Sequence, residues 1–411
     1  MIQKNDRERL RQLAVRQLEH AKSPEMDKIR AKWNAIGVGR CIEPVIRMSF
    51  GAYRDEIIYP KMSCEGELAR KTEEALLANM AGRELFDDDT VVEDRYQHFW
   101  NINFNLWNLN IKKTFVPDPN TKKYAFHIEP IIKNIRDDFR MFQKSVFSVN
   151  RKKSLDEMDA INECIGDILP VEMSMTCLHG SITNKLVHLL GMENMYISMI
   201  DYPDEFHNIM KLACEGYGEF HAWMASEKLF TGTTGKQPLG QDTFCYTDEL
   251  PPAAQSSKDV WGYMDSQESI GLSPEMYGEF VFPYLSRIAS NMGLVSYGCC
   301  EPVHPQWDYI STLKNLRRVS VSPWCDEEFM GEQLRGKRIV YHRKPKASFV
   351  LINKPLDEEE ITEYFKRTAL AARGCLLEVT QREIKTIHGN PERVKQYLKM
   401  IRKTLDKYWQ P

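Results

Sequence analysis

The stretch Met292-Gly293-Leu294-Val295-Ser296-Tyr297-Gly298-Cys299-Cys300-Glu301-Pro302-Val303-His304 decides how this chain is read. Its first part is a short apolar run of the kind that forms a buried strand. Gly298 then breaks the run, and a helical pattern follows Val303. A strand that ends in Gly-Cys-Cys-Glu before a helix places two thiols and a carboxylate at its carboxyl end, with an imidazole close behind.

Other runs repeat the same strand-then-helix phrase. Short apolar segments fall at 44–50, 90–94, 167–175, 259–268, 293–300, 319–323, 339–342 and 374–381. Amphipathic stretches at 66–80, 195–225, 274–292 and 358–372 lie between them; in the last, Ile361, Tyr364, Phe365, Thr368 and Ala372 share one helical face. About eight such units make the expected fold an α/β protein, a (β/α)8 TIM barrel with an N-terminal helical extension. A doubly wound open sheet is the alternative, but no Gly-x-Gly-x-x-Gly turn follows any strand. Residues 1–40 are expected to form a helical arm and residues 41–411 the barrel.

Composition narrows the class. Of 411 residues, 42% are hydrophobic and 27% charged, which is ordinary for a globular enzyme with a large core. A net charge of −3 gives no general electrostatic case for nucleic acid. No apolar run reaches membrane-spanning length, and residues 1–32 are charged rather than signal-like. The ten scattered cysteines do not form a disulfide framework, so a reducing cytoplasm is expected.

Within a barrel, chemistry is presented at the strands' carboxyl ends. Cys300, Glu301 and His304 offer soft and borderline ligands suited to zinc. Adjacent cysteines point to opposite faces of a strand, so which thiol faces inward stays open. Glu378, in the apolar strand 374–381, is either a fourth metal ligand or half of a buried ion pair, because a lone carboxylate there is costly. Cys375, at the start of that strand, reads as core. Asp265-Ser266-Gln267-Glu268-Ser269 is an acid-rich strand end; a helix N-cap needs only its serines, which leaves Glu268 as a candidate acid or substrate anchor.

Tyr53, Trp100, Trp107, His179 and Tyr297 are candidate substrate contacts. The aromatic run from Tyr96 to Trp107 forms either a pocket wall or core. The Gly- and Thr-rich segment 228–252 is either a lid over the barrel mouth or a surface excursion. Asp87-Asp88-Asp89 reads as a solvated loop. Basic blocks such as Arg343-Lys344-Pro345-Lys346 read as solvated faces or local anion contacts.

Several of these stretches resemble the uroporphyrinogen decarboxylase-like superfamily: Leu294–His304 (LVSYGCCEPVH), Leu313–Trp324 (LKNLRRVSVSPW), Arg343–Phe349 (RKPKASF), Asp259–Glu268 (DVWGYMDSQE), Arg373–Glu378 (RGCLLE) and Tyr246–Pro251 (YTDELP). The resemblance runs from about Pro44 onward and is specific for a branch carrying YGCCEP. It implies a TIM barrel and one of two activities. The true decarboxylases carry Arg-Gln-Ala-Gly-Arg on the first strand to grip propionates; here Arg47-Met48-Ser49-Phe50-Gly51-Ala52-Tyr53-Arg54 replaces it. The methyltransferases carry His-x-Cys on the sixth strand and another cysteine near the last. Cys300 matches the first cysteine, the histidine is missing, and Glu378, Thr380 or Glu383 stands in place of the second cysteine.

The resemblance therefore implies a methyltransferase that demethylates a small methylated substrate, expected to be a methoxylated aromatic or other methyl ether. Zinc held by Cys300, Glu301, His304 and Glu378 would act as Lewis acid, with Glu268 and Glu301 as catalytic carboxylates. The methyl group would pass to cobalamin on a separate corrinoid protein, since no Asp-x-His-x-x-Gly motif is present. A homodimer is left open. The alternative is a metal-independent decarboxylase or lyase that uses Arg47, Arg54 and Arg343.

Overall fold

The structure, a computed structural model, describes residues 2–117 and 124–411. Two helices open the chain. In α1 (Lys4–Ala21) Leu10, Leu13, Ala14, Gln17 and Ala21 recur at helical spacing and are buried. Helix α2 (Pro24–Gly37) starts on Ser23, whose side chain accepts from the Met26 amide, with Pro24 in the first turn. The expected arm is thus helical, and it lies against the body: Arg9 pairs with Glu73 at 2.8 Å, and the Trp33 indole donates to the Asp89 carbonyl at 2.7 Å.

The centre of the molecule is a parallel sheet of seven strands. These are β1 (Val45–Met48), β2 (Leu178–His179), β3 (Trp261–Met264), β4 (Leu294–Tyr297), β5 (Leu316–Val321), β6 (Val340–Arg343) and β7 (Leu376–Gln381). Their spatial order is β1-β7-β6-β5-β4-β3-β2, so the first strand pairs with the last. Every residue of β1, β3, β4, β6 and β7 is buried, as a parallel sheet covered on both faces requires.

The hydrogen-bonded ladder does not close into a ring between β1 and β2. The outer edge of β1 is satisfied instead by side chains. Asp89 accepts from the Ile46 amide at 2.8 Å, and Asp88 from the Met48 amide at 2.9 Å. The Asp89 amide donates back to the Ile46 carbonyl at 2.9 Å. Segment 88–92 thus runs beside β1 without forming the strand expected at 90–94. Of the Asp87-Asp88-Asp89 loop only Asp87 is solvated; Asp88 and Asp89 are buried partners of backbone donors. The strand of this region comes later, at Tyr96–Phe99, and pairs parallel with Val171–Ser174 outside the main sheet. An antiparallel excursion follows, with Ile102–Asn105 against Val146–Val149.

The two faces of the main sheet differ. Met264, Val295, Tyr297, Val319, Tyr341, Leu377 and Val379 enter the large core. Trp261, Tyr263 and Leu294 enter a second, smaller cluster with Cys177, Leu239 and Cys245. The last two residues belong to segment 228–252, which is neither a lid nor a surface excursion. It forms a hairpin, Pro238–Leu239 against Thr243–Phe244, packed on the strands. The Cys177 amide donates to the Pro238 carbonyl at 3.1 Å, the Trp261 indole to the Cys245 carbonyl at 2.8 Å, and Arg318 to the Phe244 carbonyl at 3.0 Å.

The hairpin tip is Gly240-Gln241-Asp242, and both Gln241 (φ 72°) and Asp242 (φ 60°) are left-handed. Strain of this kind is tolerated where surrounding contacts over-determine the backbone. Gly240 lies flat on the Tyr263 ring; a Cβ there would stand 2.2 Å from the ring carbon Cγ. Gly240→Ala is expected to cost roughly 1–3 kcal/mol in urea unfolding, because neither the ring nor the tip has space to yield. Wild-type stability in that variant would show that the tip is not locked on Tyr263.

Candidate active site at the strand carboxyl ends

Five strand ends and the hairpin tip build one polar network. Tyr263 on β3 donates to Asp265 Oδ2 at 2.6 Å and receives the Gln241 side-chain amide at 2.7 Å. Lys344, one residue past β6, donates to Gln241 Oε1 at 2.5 Å and to the Cys299 carbonyl at 2.7 Å. Arg382, one residue past β7, donates to Gln241 Oε1 and pairs with Asp242 at 2.7 Å. Ser49, just past β1, donates to Asp242 at 2.8 Å.

Burial tunes these groups. Desolvation raises the Asp265 carboxyl, and this outweighs the lowering effect of its contacts with Ser181 and Tyr263. Burial also pushes Glu301 up to about 7, with the charges of Asp265 and Cys299 adding to the effect. It pulls Lys344 down to about 8, with Arg382 repelling its charge. The Cys299 and Cys300 sulfurs stand 3.7 Å apart. Hydrogen bonding from Cys300 and the charge of Lys344 lower the Cys299 pKa, and the same contact raises that of Cys300. The more acidic of the two thiols is therefore Cys299, whereas Cys300 is the expected metal ligand.

The four expected metal ligands do not come together. The Cys300 thiol faces the Glu383 carboxylate at 3.5 Å. Glu301 accepts from the Cys299 amide at 2.7 Å and the Ser266 amide at 3.2 Å, so it braces two strand-end loops. His304 accepts from the Asp326 amide at 3.3 Å and packs on Phe329, at the start of helix Glu327–Leu334. Glu378 lies within the sheet, 3.0 Å from Arg318, and both side chains are fully buried. Among the described residues, no three His, Cys, Asp or Glu side chains are grouped to share a metal ion. This donor arrangement does not fit a zinc site.

Of the expected substrate contacts, Trp100 and His179 share one cavity of about 340 Å³, with Phe99, Phe104, Phe220 and Met224 in its wall. The His179 ring stands 5.6 Å from that of Tyr263, so this cavity abuts the polar network. Trp107, Tyr53 and Tyr297 are elsewhere. Trp107 has φ 60° and is buried against Phe142. Tyr53 is fully buried beneath the β1 loop. Tyr297 turns to the helix side, where it bonds Ser266 at 2.6 Å and Tyr277 at 2.8 Å. Glu268 is held by Thr183 at 2.8 Å and Asn184 at 2.9 Å on helix Ile182–Leu190, which fixes it as an anchor between elements.

Sequence reasoning did not single out Tyr263, Lys344, Gln241 or Arg382, and it named Asp265 only within the acid-rich strand end from which Glu268 was chosen. The signal for two of them was present: Trp261, Tyr263 and Asp265 alternate along one side of β3 and its extension. Lys344 sits in a basic block read as a solvated face or a local anion contact, and it is buried.

No family model matches this sequence, and no curated protein matches it. Among solved structures the chain is similar to a methyltransferase from Methanosarcina mazei, with a TM-score of 0.51 and 13% identity over 92% of this chain and 98% of that one. At that identity the likeness is one of fold.

Proposed function

We propose that the chain is a methyltransferase that removes a methyl group from a small methoxylated aromatic and passes it to a separate corrinoid protein. The observation that carries this reading is an aromatic-walled cavity set against a buried acid pair, Tyr263 and Asp265, at the carboxyl ends of parallel strands. The cavity volume suits a single substituted ring. The fold shared with a methyltransferase supports the same reading. We read the sheet, with segment 88–92 beside β1, as a (β/α)8 barrel in residues 41–411 behind a helical arm in residues 1–40. Among the described residues no helix is long and apolar enough to cross a membrane; a cytoplasmic location is part of the proposal.

Demethylation of an aryl ether breaks the methyl–oxygen bond, and the electron pair stays on oxygen. The corrinoid partner would supply the nucleophile that accepts the methyl group. The departing oxygen then needs a proton. Asp265, kept protonated to higher pH by burial, is placed to deliver it, with Tyr263 holding the carboxyl in line. Lys344, hydrogen-bonded through Gln241 to the same tyrosine, favours negative charge developing nearby. Large apolar side chains are displayed on the loops after β3, β5 and β6, where a partner would dock: Ile270 is 58% exposed, Trp324 74% and Ile352 49%.

The decarboxylase alternative needs arginines lining the cavity. Arg54 is tied to Glu74 at 2.8 Å, and Arg343 is buried against Glu327 and Tyr364. Arg47 and Arg54 line a second cavity beside the hairpin rather than the aromatic one.

The test is turnover of methoxylated aromatics with cob(I)alamin, followed by the absorbance of methylcobalamin. Trp100→Ala and Phe104→Ala are expected to raise KM about tenfold, since each removes one ring's worth of apolar contact. Absence of turnover across a panel of methoxybenzenes and methoxybenzoates would overturn the proposal.

A further inference from the structure

On the other side of the hairpin from the aromatic cavity lies a second one, of about 220 Å³, between β1, the hairpin and helix Glu67–Ala81. Two of its wall residues are buried cations. Arg47 is 7% exposed and Lys236 8%. Neither has a carboxylate within 4.0 Å among the described residues, in contrast to Arg318, Arg343 and Arg382. Arg47 donates from Nε to Thr90 Oγ1 at 3.3 Å and from its terminus to the Asp242 carbonyl, and it lies 4.1 Å over the Phe244 ring. Lys236 has one long contact, 3.4 Å, to Asn79 Oδ1. The one acid in the wall, Asp242, turns its carboxylate to Arg382 and Ser49.

Two buried positive charges on one cavity wall, with hydrogen bonds only to neutral acceptors and carboxylates no nearer than 4.0 Å among the described residues, are costly unless something neutralises them. Burial pulls the Lys236 pKa down to about 8, which shows how poorly the protein's own groups compensate its charge. The rest of the wall is mixed. Arg54 is a third cation but is paired with Glu74 at 2.8 Å. Met48, Phe50, Leu239 and Phe244 are apolar, and Ser49 and Thr90 carry hydroxyls.

We infer that Arg47 and Lys236 form a binding site for a small organic carboxylate, with the carboxylate between the two cations and its apolar body against Phe50, Leu239 and Phe244. A guanidinium and an ammonium on one cavity wall can both donate to the oxygens of a single oxyanion. The apolar wall selects a carboxylate carried on carbon over inorganic phosphate. The site stands on its own geometry and does not require the methyl-transfer reading.

Calorimetric titration tests it, with benzoate and inorganic phosphate as probes, on the full chain and on Lys236→Gln, Lys236→Arg and Arg47→Gln. Benzoate is expected to bind the wild type and to lose about thirtyfold or more in affinity in Lys236→Gln, as for loss of one charge from a buried charge pair. Lys236→Arg, which keeps the charge, should retain most of the binding. Circular dichroism of each variant separates loss of the site from loss of the fold, and the Lys236 pair decides the matter if Arg47→Gln does not fold. No benzoate binding by the wild type, or equal binding by Lys236→Gln, would overturn the inference. Lys236-dependent binding of phosphate without benzoate would overturn the carboxylate assignment. Because the readout is binding, a protein that binds benzoate but transfers no methyl group sustains this inference while the proposed reaction fails.

Discussion

Asp265→Asn is expected to lower the rate of methyl transfer by about 10²–10⁴, the usual contribution of a positioned general acid. The substitution keeps the shape and the hydrogen bond from Tyr263 but removes the ionisable proton. Its effect should fall on kcat rather than KM, because Asp265 lies beyond the aromatic wall that would hold the ring. The pH profile carries a second signature. An acid that must be protonated loses activity as pH rises through its pKa, and burial has moved the Asp265 pKa upward from the usual carboxylate range. The wild-type rate should therefore fall on the alkaline side of that raised pKa, and the asparagine variant should lack that limb. Glu268→Gln serves as contrast. Its carboxylate is satisfied by Thr183 and Asn184, so it should weaken the link between β3 and helix Ile182–Leu190 with little change in the profile. An unchanged rate in Asp265→Asn would remove the acid from the proposed reaction.

The parts of this fold that could be read in advance are those whose local pattern agrees with their packing. The α1 and α2 helices show their buried faces in their own spacing, and Ser23-Pro24 marks a helix start. Apolar runs ended by polar residues located β3, β4 and β7. Cys375 was read as core and is buried. The segments that misled are those whose role is set by a distant partner. Nothing within 228–252 reveals that Leu239 and Cys245 pack on Trp261 and Tyr263, so its glycines read as a loop. Asp88 and Asp89 look like solvated acids because the donors they satisfy lie forty residues earlier on β1. The aromatic run from Tyr96 was split by a backbone feature: Trp100 and Phe104 reach the cavity, and Trp107, in a left-handed conformation, turns into the core. His304 shares a motif with Cys300 and Glu301, yet the turn after Gly298 (φ 99°) and the short helix at His304–Gln306 carry it to the next loop.

Glu378→Ala separates the two readings of that glutamate most sharply. Among the described residues its one cationic partner is Arg318, at 3.0 Å. The His342 ring, 3.5 Å away, is held neutral, its pKa driven well below the ordinary value by burial and by the nearby cations Lys344 and Arg318. Removing the carboxylate leaves Arg318 buried and unpaired, and the expected loss in urea unfolding is about 3–5 kcal/mol. The pair Glu378→Leu with Arg318→Met, which removes both charges at similar volume, should recover most of that loss, since the buried pair's attraction is offset by its desolvation. Arg318 also anchors the hairpin through the Phe244 carbonyl. The double variant should therefore regain stability without regaining full activity, because the tip that carries Gln241 to Lys344 and Tyr263 has lost its tether. A single variant within about 1 kcal/mol of wild type, at the level of an exposed ion pair, would show that the charge is not buried and paired as described.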